Sequence, residues 1–302
     1  MHRHHHPQGH TYLGREGLDL ICFGNPELDS IHADNSDHKV HSCPGGSAAN
    51  TAVAFAGLGG KVGLAGLMSD DKPGIFLLSR LKRTNVDTSS IQTNSHPTTI
   101  NEIHVTPTGR NIVSPNKRTD TSTINGDAGE YIRSAKAVLV GLRDEKFDYY
   151  ANLATQNHVS LYVSAHRFSK DAFHVEKHNL KRYDISAVIG DKHEMMEVEK
   201  HCILEENTTL VTTMAEKGSM CLSSNMENHA PSFPVKPVDP TGAGDAFTAG
   251  YIYADLIMKM FTYSKLLHGN ACGALAIIGY GAQQNITMER VDELLRKYGY
   301  IV

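Results

Sequence analysis

The sequence predicts an α/β fold: a three-layer α/β/α sandwich with a mostly parallel central sheet and a small β lid. Three observations predict it. Between Asp127 and Met214, apolar runs of strand length alternate with stretches of helix length. Such alternation implies parallel strands joined by helices lying on both faces of one sheet. Two glycine-led helix starts, Gly45–Gly46 and Gly242–Gly244, stand nearly two hundred residues apart. Between them, Thr98–Thr106 and Arg110–Ser114 change to a period of two around Pro107–Thr108–Gly109, which marks a hairpin.

Taken in order, Leu18–Phe23 is a short apolar run closed by Gly24 and reads as a buried first strand. Gly24–Asn25 opens the loop at its carboxyl end, with Asp29 following. In parallel sheets such loops line the ligand crevice. After the His-rich segment His32–His41, Pro44–Asn50 forms a helix start with Ser47 placed to cap it, and Gly59–Gly60 closes that helix. Lys61–Leu67 is the next strand. Asp70 and Asp71 begin a helix that ends in Arg80, Lys82 and Arg83, the charge order a helix dipole favours. Helices follow at Asp127–Ser134, Lys146–Gln156, Asp171–Lys177 and Lys192–His201, with strands at Ala137–Leu142, Val159–Ser164, Ser186–Gly190 and Thr208–Met214. Two short strands, Ser219–Ser223 and Ala230–Val235, precede a helix running through Met258. Ser264–Ile278, rich in small residues, is a further helix. Thr287 caps the last one.

Composition removes several function classes. A net charge of −4 leaves no basic footprint for nucleic acid. No apolar run reaches the 18 residues a membrane span needs, and no signal-peptide pattern follows the first residues. Five scattered cysteines without a CxxC pair fit a reducing, cytoplasmic setting. Eight of the 18 histidines lie before position 42, so residues 1–17 read as a flexible His-rich leader. Residues 18–302 then form one domain, with the lid drawn from about 30–43 and 95–125.

The stretch Val238–Phe247 (VDPTGAGDAF) carries the chemistry. A helix start leaves backbone N–H groups unpaired and bears partial positive charge, so it receives anions. Gly242, Ala243 and Gly244 let a ligand approach that main chain closely. Asp245 stands beside this anion hole, where a carboxylate suits contact with a hydroxyl rather than a phosphate. An anion hole next to a carboxylate is what phosphoryl transfer to an alcohol requires. No Lys-Ser/Thr follows the glycines, so the stretch is not a P-loop.

Two motifs resemble the signatures of the PfkB/ribokinase family of sugar and nucleoside kinases. PGGSAANTAVAFAGLGGKVGLAGLMSDDKPG (Pro44–Gly74) resembles the amino-terminal one and VDPTGAGDAFTAGY (Val238–Tyr251) the carboxyl-terminal one. The resemblance implies a ribokinase-like fold and an ATP- and Mg²⁺-dependent phosphotransferase. Asp245 resembles the catalytic base, and the backbone of Gly242, Ala243 and Gly244 the hole for the γ-phosphate. Asn25, Asp29, Gly45, Gly46 and Asn50 match acceptor-binding positions. Asp191, Thr213, Gly218 and Asn270 fall where the nucleotide is contacted, and Glu194 is the expected carboxylate for Mg²⁺ through water. Three positions depart from the family pattern. Asp191 stands for the usual Asn, Ala215 for a glycine, and Val163–Arg167 lacks the usual Asp and Asn.

The expected activity is transfer of the γ-phosphate to a primary hydroxyl of a ribonucleoside or sugar. Asp191–Glu194 and Gln284–Asn285 look most like archaeal nucleoside kinases of this family. Against a nucleoside, Ser95–Asn125 holds no Phe, Tyr or Trp to stack a base. Free ribose or another sugar is the second acceptor class. A sugar phosphate held by Lys39, Arg110, Lys117 and Arg118 is the third, and His104 and His166 are further acceptor candidates. A non-catalytic nucleotide or sugar sensor is the alternative from another class. The expected partner is a small-molecule acceptor, with no nucleic acid or membrane, and the chain is a monomer or pairs through the lid as a homodimer.

Overall fold

The computed structural model describes residues 17–33, 39–118, 127–169 and 177–301. The leader 1–16, parts of the expected lid segments (34–38 and 119–125) and most of the expected helix Asp171–Lys177 lie outside them. The amino-terminal third contains β1 (Leu18–Phe23), β2 (Glu27–His32), β3 (Val40–Gly45), α1 (Ser47–Gly57), β4 (Val62–Ser69) and α2 (Lys72–Leu81). Then come β5 (Val86–Asp87), β6 (Ile91–Asn94), β7 (Ile100–Thr106) and β8 (Gly109–Val113). The middle third has α3 (Ala128–Arg133), β9 (Ala135–Gly141), α4 (Phe147–Gln156), β10 (Ser160–Ser164), β11 (His178–Asn179), β12 (Ile185–Asp191), α5 (Lys192–His201) and β13 (Cys202–Ile203). The chain closes with β14 (Leu210–Thr213), β15 (Ser219–Ser223), β16 (Met226–Ala230), α6 (Ala243–Tyr253), α7 (Thr262–Ala276) and α8 (Met288–Lys297).

The main sheet runs β16-β15-β14-β12-β10-β9-β1-β4-β5, with β6 also paired to β4. Pairings from β14 through to β4, and those of β4 with β5 and β6, are parallel, while β15 and β16 are antiparallel. The central strands are apolar along their length because both faces are covered. Their alternation divides two cores. Leu20, Cys22, Ala137, Leu139, Tyr162 and Ile189 point into one with α1, α6 and α7. Ile21, Phe23, Val138, Val140, Leu161 and Val188 point into the other with α3, α4 and α5. Helices therefore cover both faces, giving the three layers the alternation predicts.

A second sheet, β3-β2-β7-β8, contains four strands. The hairpin is present: Thr106 pairs Gly109 across Pro107–Thr108. Asp29, expected in a loop, is on β2, with Asn101 of β7 as its parallel neighbour.

The carboxyl-terminal half of the main sheet departs from expectation. The strand expected at Ala230–Val235 is instead β16 at Met226–Ala230, joined to β15 by the two-residue turn Ser224–Asn225. Pro231 and Pro234 lack the N–H a ladder needs, so the following segment is irregular even though Phe233 is buried. The helix expected through Met258 is α-helical only to Tyr253, and Ala254–Met258 is a π-turn. The small residues of α7 serve close packing: a Cβ on Gly269 would strike the Phe247 ring at 2.6 Å.

Candidate active site

The central sheet changes direction at β1, whose neighbours β4 and β9 lie on opposite sides. In open parallel sheets, ligands bind beyond the carboxyl ends of strands at such a point. Here the end of β1 leads through Gly24–Pro26 straight into the second sheet, which returns through β3 into α1. The hinge of that return is Gly46, at φ 93°, where a Cβ would strike the Asn25 carbonyl at 2.6 Å. Only glycine fits there.

Ser47 does not cap α1 as expected, since the helix start has no side-chain cap. Its hydroxyl donates instead to Asp245 Oδ1 at 2.6 Å, and Asn50 Nδ2 donates to Asp245 Oδ2 at 2.8 Å. Asn50 is itself oriented by Gln283, whose Nε2 donates to its Oδ1 at 3.3 Å. The two motifs thus meet in space, and both carboxylate oxygens of Asp245 are fixed in direction.

Asp245 lies in the first turn of α6, whose N-cap is Gly242 in the left-handed conformation at φ 85°. No side chain caps this helix, and nothing lies within 4 Å of a Cβ built on Gly244. Ala243 N donates back to Pro240 O at 3.4 Å; the uncapped helix start with open space at Gly244 suits a phosphate group. The loop ahead of it is pinned by Asp239, which is fully buried and which sequence reasoning left without a role. Its Oδ1 accepts from Thr241 N and Oγ1, and its Oδ2 accepts from Gly281 N at 3.0 Å. The signal was present in Asp-Pro-Thr, since an Asp side chain commonly bonds the backbone two residues on.

Asp29, Asn50, Asn101, Arg110, His166 and Asp245 line one cleft. Asn101 Nδ2 donates to Asp29 Oδ1 at 3.0 Å. Burial pushes the Asp29 carboxyl up to about 6; Glu27 and Asp245 add to this, while the Asn101 hydrogen bond and Arg110 oppose it. Gly45 has no Cβ because one would fall 2.3 Å from Asp29 Oδ2. Asn25 receives Leu67 N at 2.8 Å through its Oδ1 and lines the adjoining cavity. His166 borders both spaces. Burial lowers its pKa, with Arg167 and Arg110 acting in the same direction and Asp245 against. His104 stacks on His32 at 4.3 Å instead.

The expected nucleotide residues form a separate group. Asp191 and Thr213 are register neighbours at the carboxyl ends of β12 and β14. A Cβ on Gly218 would fall 2.0 Å from the Ala230 carbonyl oxygen. Asn270 Nδ2 donates to that same oxygen and to Pro231 O. Ala215 adopts the left-handed φ of 51°, so the turn keeps a glycine-like backbone without glycine. Asp191 and Glu194 form a reciprocal capping box on α5, and Glu194 also accepts from the Arg167 backbone N–H. Burial pushes Glu194 up to about 7.

Residues 19–288 match the pfkB family carbohydrate kinase profile. The chain belongs to this family. It is 28% identical over 297 residues to the ribokinase of Bacillus subtilis, covering 94% of this chain and 98% of that one. The 5-dehydro-2-deoxygluconokinase of Clostridium perfringens is 26% identical over 329 residues, with 94% and 96% covered. A solved structure of a putative ribokinase from Agrobacterium tumefaciens superposes with a TM-score of 0.74 at 18% identity, over 93% of this chain and 98% of that one. The protein is a kinase of the carbohydrate and nucleoside class with a ribokinase-like fold, as its two motifs imply. No described helix is long and apolar enough to cross a membrane.

Proposed function

We propose that this kinase transfers the γ-phosphate of Mg-ATP to a primary hydroxyl of a sugar-like acceptor, with Asp245 as the base. One observation carries the reading. Asp245 borders the acceptor cleft with both oxygens directed by Ser47 and Asn50, in the first turn of a helix whose amino end is open. The acceptor oxygen attacks phosphorus, its proton passes to Asp245, and the bond to the β-phosphate breaks with its electrons leaving on ADP. Phosphoryl transition states are loose, so orientation by the carboxylate matters more than its basicity. The backbone of Gly242, Ala243 and Gly244 receives the developing charge. Asp29 and Asn101 hold neighbouring hydroxyls of the acceptor.

No cluster of three or more His, Cys, Asp or Glu that could hold a metal is present among the described residues. Mg²⁺ needs no such cluster, since it keeps most of its water and is carried by substrate phosphates with one or two carboxylates. Glu194 is the carboxylate that would face it through water. Bound with ATP, the ion neutralises phosphate charge. Asp191, Thr213, Gly218 and Asn270 are the proposed nucleotide contacts, and the four-stranded sheet the proposed lid.

Asp245→Asn keeps the shape and removes the proton acceptor. Turnover should fall by about 10²–10⁴-fold with the fold intact by circular dichroism. Near-normal turnover in a coupled ADP-release assay would remove Asp245 from the mechanism.

A further inference from the structure

Beyond the acceptor cleft, a contiguous cavity of about 300 Å³ opens between the carboxyl ends of β1, β9 and β10 and the segment after β8. Glu27, Ser47, His166 and Arg167 border both spaces, so one elongated ligand can occupy the two. Asp245 and Asp29 stand at one end. Arg110 lines that end too, Lys117 and Arg143 stand at the other, and Arg167 borders both.

The carboxylates of Glu27, Asp144 and Glu145 line the same cavity, yet none of them pairs with these cations. Arg110, Lys117, Arg143 and Arg167 form no side-chain ion pair or hydrogen bond among the described residues. Burial lowers the pKa of Lys117, and Arg143 and Arg167 lower it further; burial and then Arg167 do the same to Arg143. Only Glu27 is felt as an opposing charge by both. Arg167 is committed to this place by its backbone, at φ 55° with its N–H bonded to the Glu194 carboxylate. Like charges held together at a cavity wall without partners cost stability unless an anion joins them. Gly141 keeps the cavity floor clear, since nothing lies within 4 Å of where its Cβ would be. Phosphate and carboxylate oxygens are what guanidinium forks recognise.

The expected nucleotide residues line neither space. Gly242 of the proposed γ-phosphate hole lines only the Asp245 cleft, so Lys117 and Arg143 share no cavity with any proposed ATP contact. Resting on the kinase reading above, we infer that the acceptor is an anionic sugar, whose phosphate or carboxylate sits among Lys117, Arg143 and Arg167 while its far hydroxyl reaches Asp245. A neutral nucleoside would leave these charges unanswered, and no Phe, Tyr or Trp lines the cleft that holds Asp245, where His166 is the one ring.

The test uses the full chain with Mg-ATP and four acceptor sets: sugar phosphates, sugar acids, neutral sugars and nucleosides. One of the two anionic sets should give the highest kcat/KM, and which one identifies the group. Its KM should rise with added salt, because Coulomb attraction is screened. Arg143→Gln and Lys117→Gln should each raise that KM by roughly 10- to 100-fold, the range for losing a hydrogen bond to a charged group, with kcat little changed. Preferred turnover of a neutral sugar or nucleoside would overturn the inference and leave the kinase reading standing. Calorimetric binding of an anionic sugar without turnover of any acceptor would do the reverse. Absence of binding by every sugar phosphate and sugar acid would also overturn it.

Discussion

At the scale of residues, Asp29, proposed to hold an acceptor hydroxyl, opposes the stability of its own fold. Its carboxyl is buried to 3% exposure and titrates at about 6, while an unfolded aspartate titrates near 4. The folded chain thus binds the extra proton between about pH 4 and pH 6. Stability from this group is complete below pH 4 and is lost as pH rises through 6, a difference of about 3 kcal/mol. Asp29→Asn removes the charge and keeps an acceptor for Asn101. In urea at pH 7.5 it should be more stable than the parent by about 1–3 kcal/mol, with the advantage gone at pH 4. Its acceptor KM should rise steeply, because an ionised carboxylate accepts hydroxyls better than an amide. The parent enzyme should lose acceptor affinity below pH 6 for the same reason. Equal stability of parent and variant at both pH values would show that Asp29 is not under strain.

At the scale of elements, the sequence was readable wherever burial imposes a period. β1 and α5 run over the expected residues, because one is a continuous apolar run and the other opens with Asp and Glu in capping-box spacing. It misled at β16, where the pattern of burial and the ladder separate. Met226–Ala230 is a polar, mostly exposed outer strand with no alternation to betray it, while the buried Phe233 follows in a segment that Pro231 and Pro234 keep out of the sheet. The decisive local feature was the turn. Ser224 and Asn225 take φ of 49° and 65°, the paired left-handed conformation of a two-residue hairpin, which Asn-Gly would have announced and Ser-Asn does not. Asn225→Gly should therefore stabilise the protein by about 0.5–1 kcal/mol, within the left-handed cost it relieves. Thermal unfolding checks this, and a lower Tm would mean the turn is held by contacts of the Asn side chain.

At the scale of the whole molecule, the active site exists only when the two ends of the chain have met. The sequence displayed both motifs, and with them Asp245, Asn50 and the glycines, but not how they join. Ser47 looked like a helix cap because capping is a local habit of serine, whereas its partner lies 198 residues away. Asp239 and Arg143 escaped notice for a similar reason: their roles depend on what the sheet brings beside them. Asn50 spans this closure most completely, tied to Asp245 on one side and Gln283 on the other. If that closure fixes the fold as well as the chemistry, Asn50 and Asp245 must be coupled in stability. A double-mutant cycle of Asn50→Ala and Asp245→Ala, read by urea denaturation without ligands, should give about 1.5–3 kcal/mol, the worth of a hydrogen bond to a charged group. Coupling below about 0.5 kcal/mol, the ordinary scatter for independent sites, would mean that α1 and α6 are joined by their apolar faces alone. In that case the hydrogen bonds would orient Asp245 without stabilising the fold, and Asn50→Ala would lower kcat while leaving the urea midpoint unchanged.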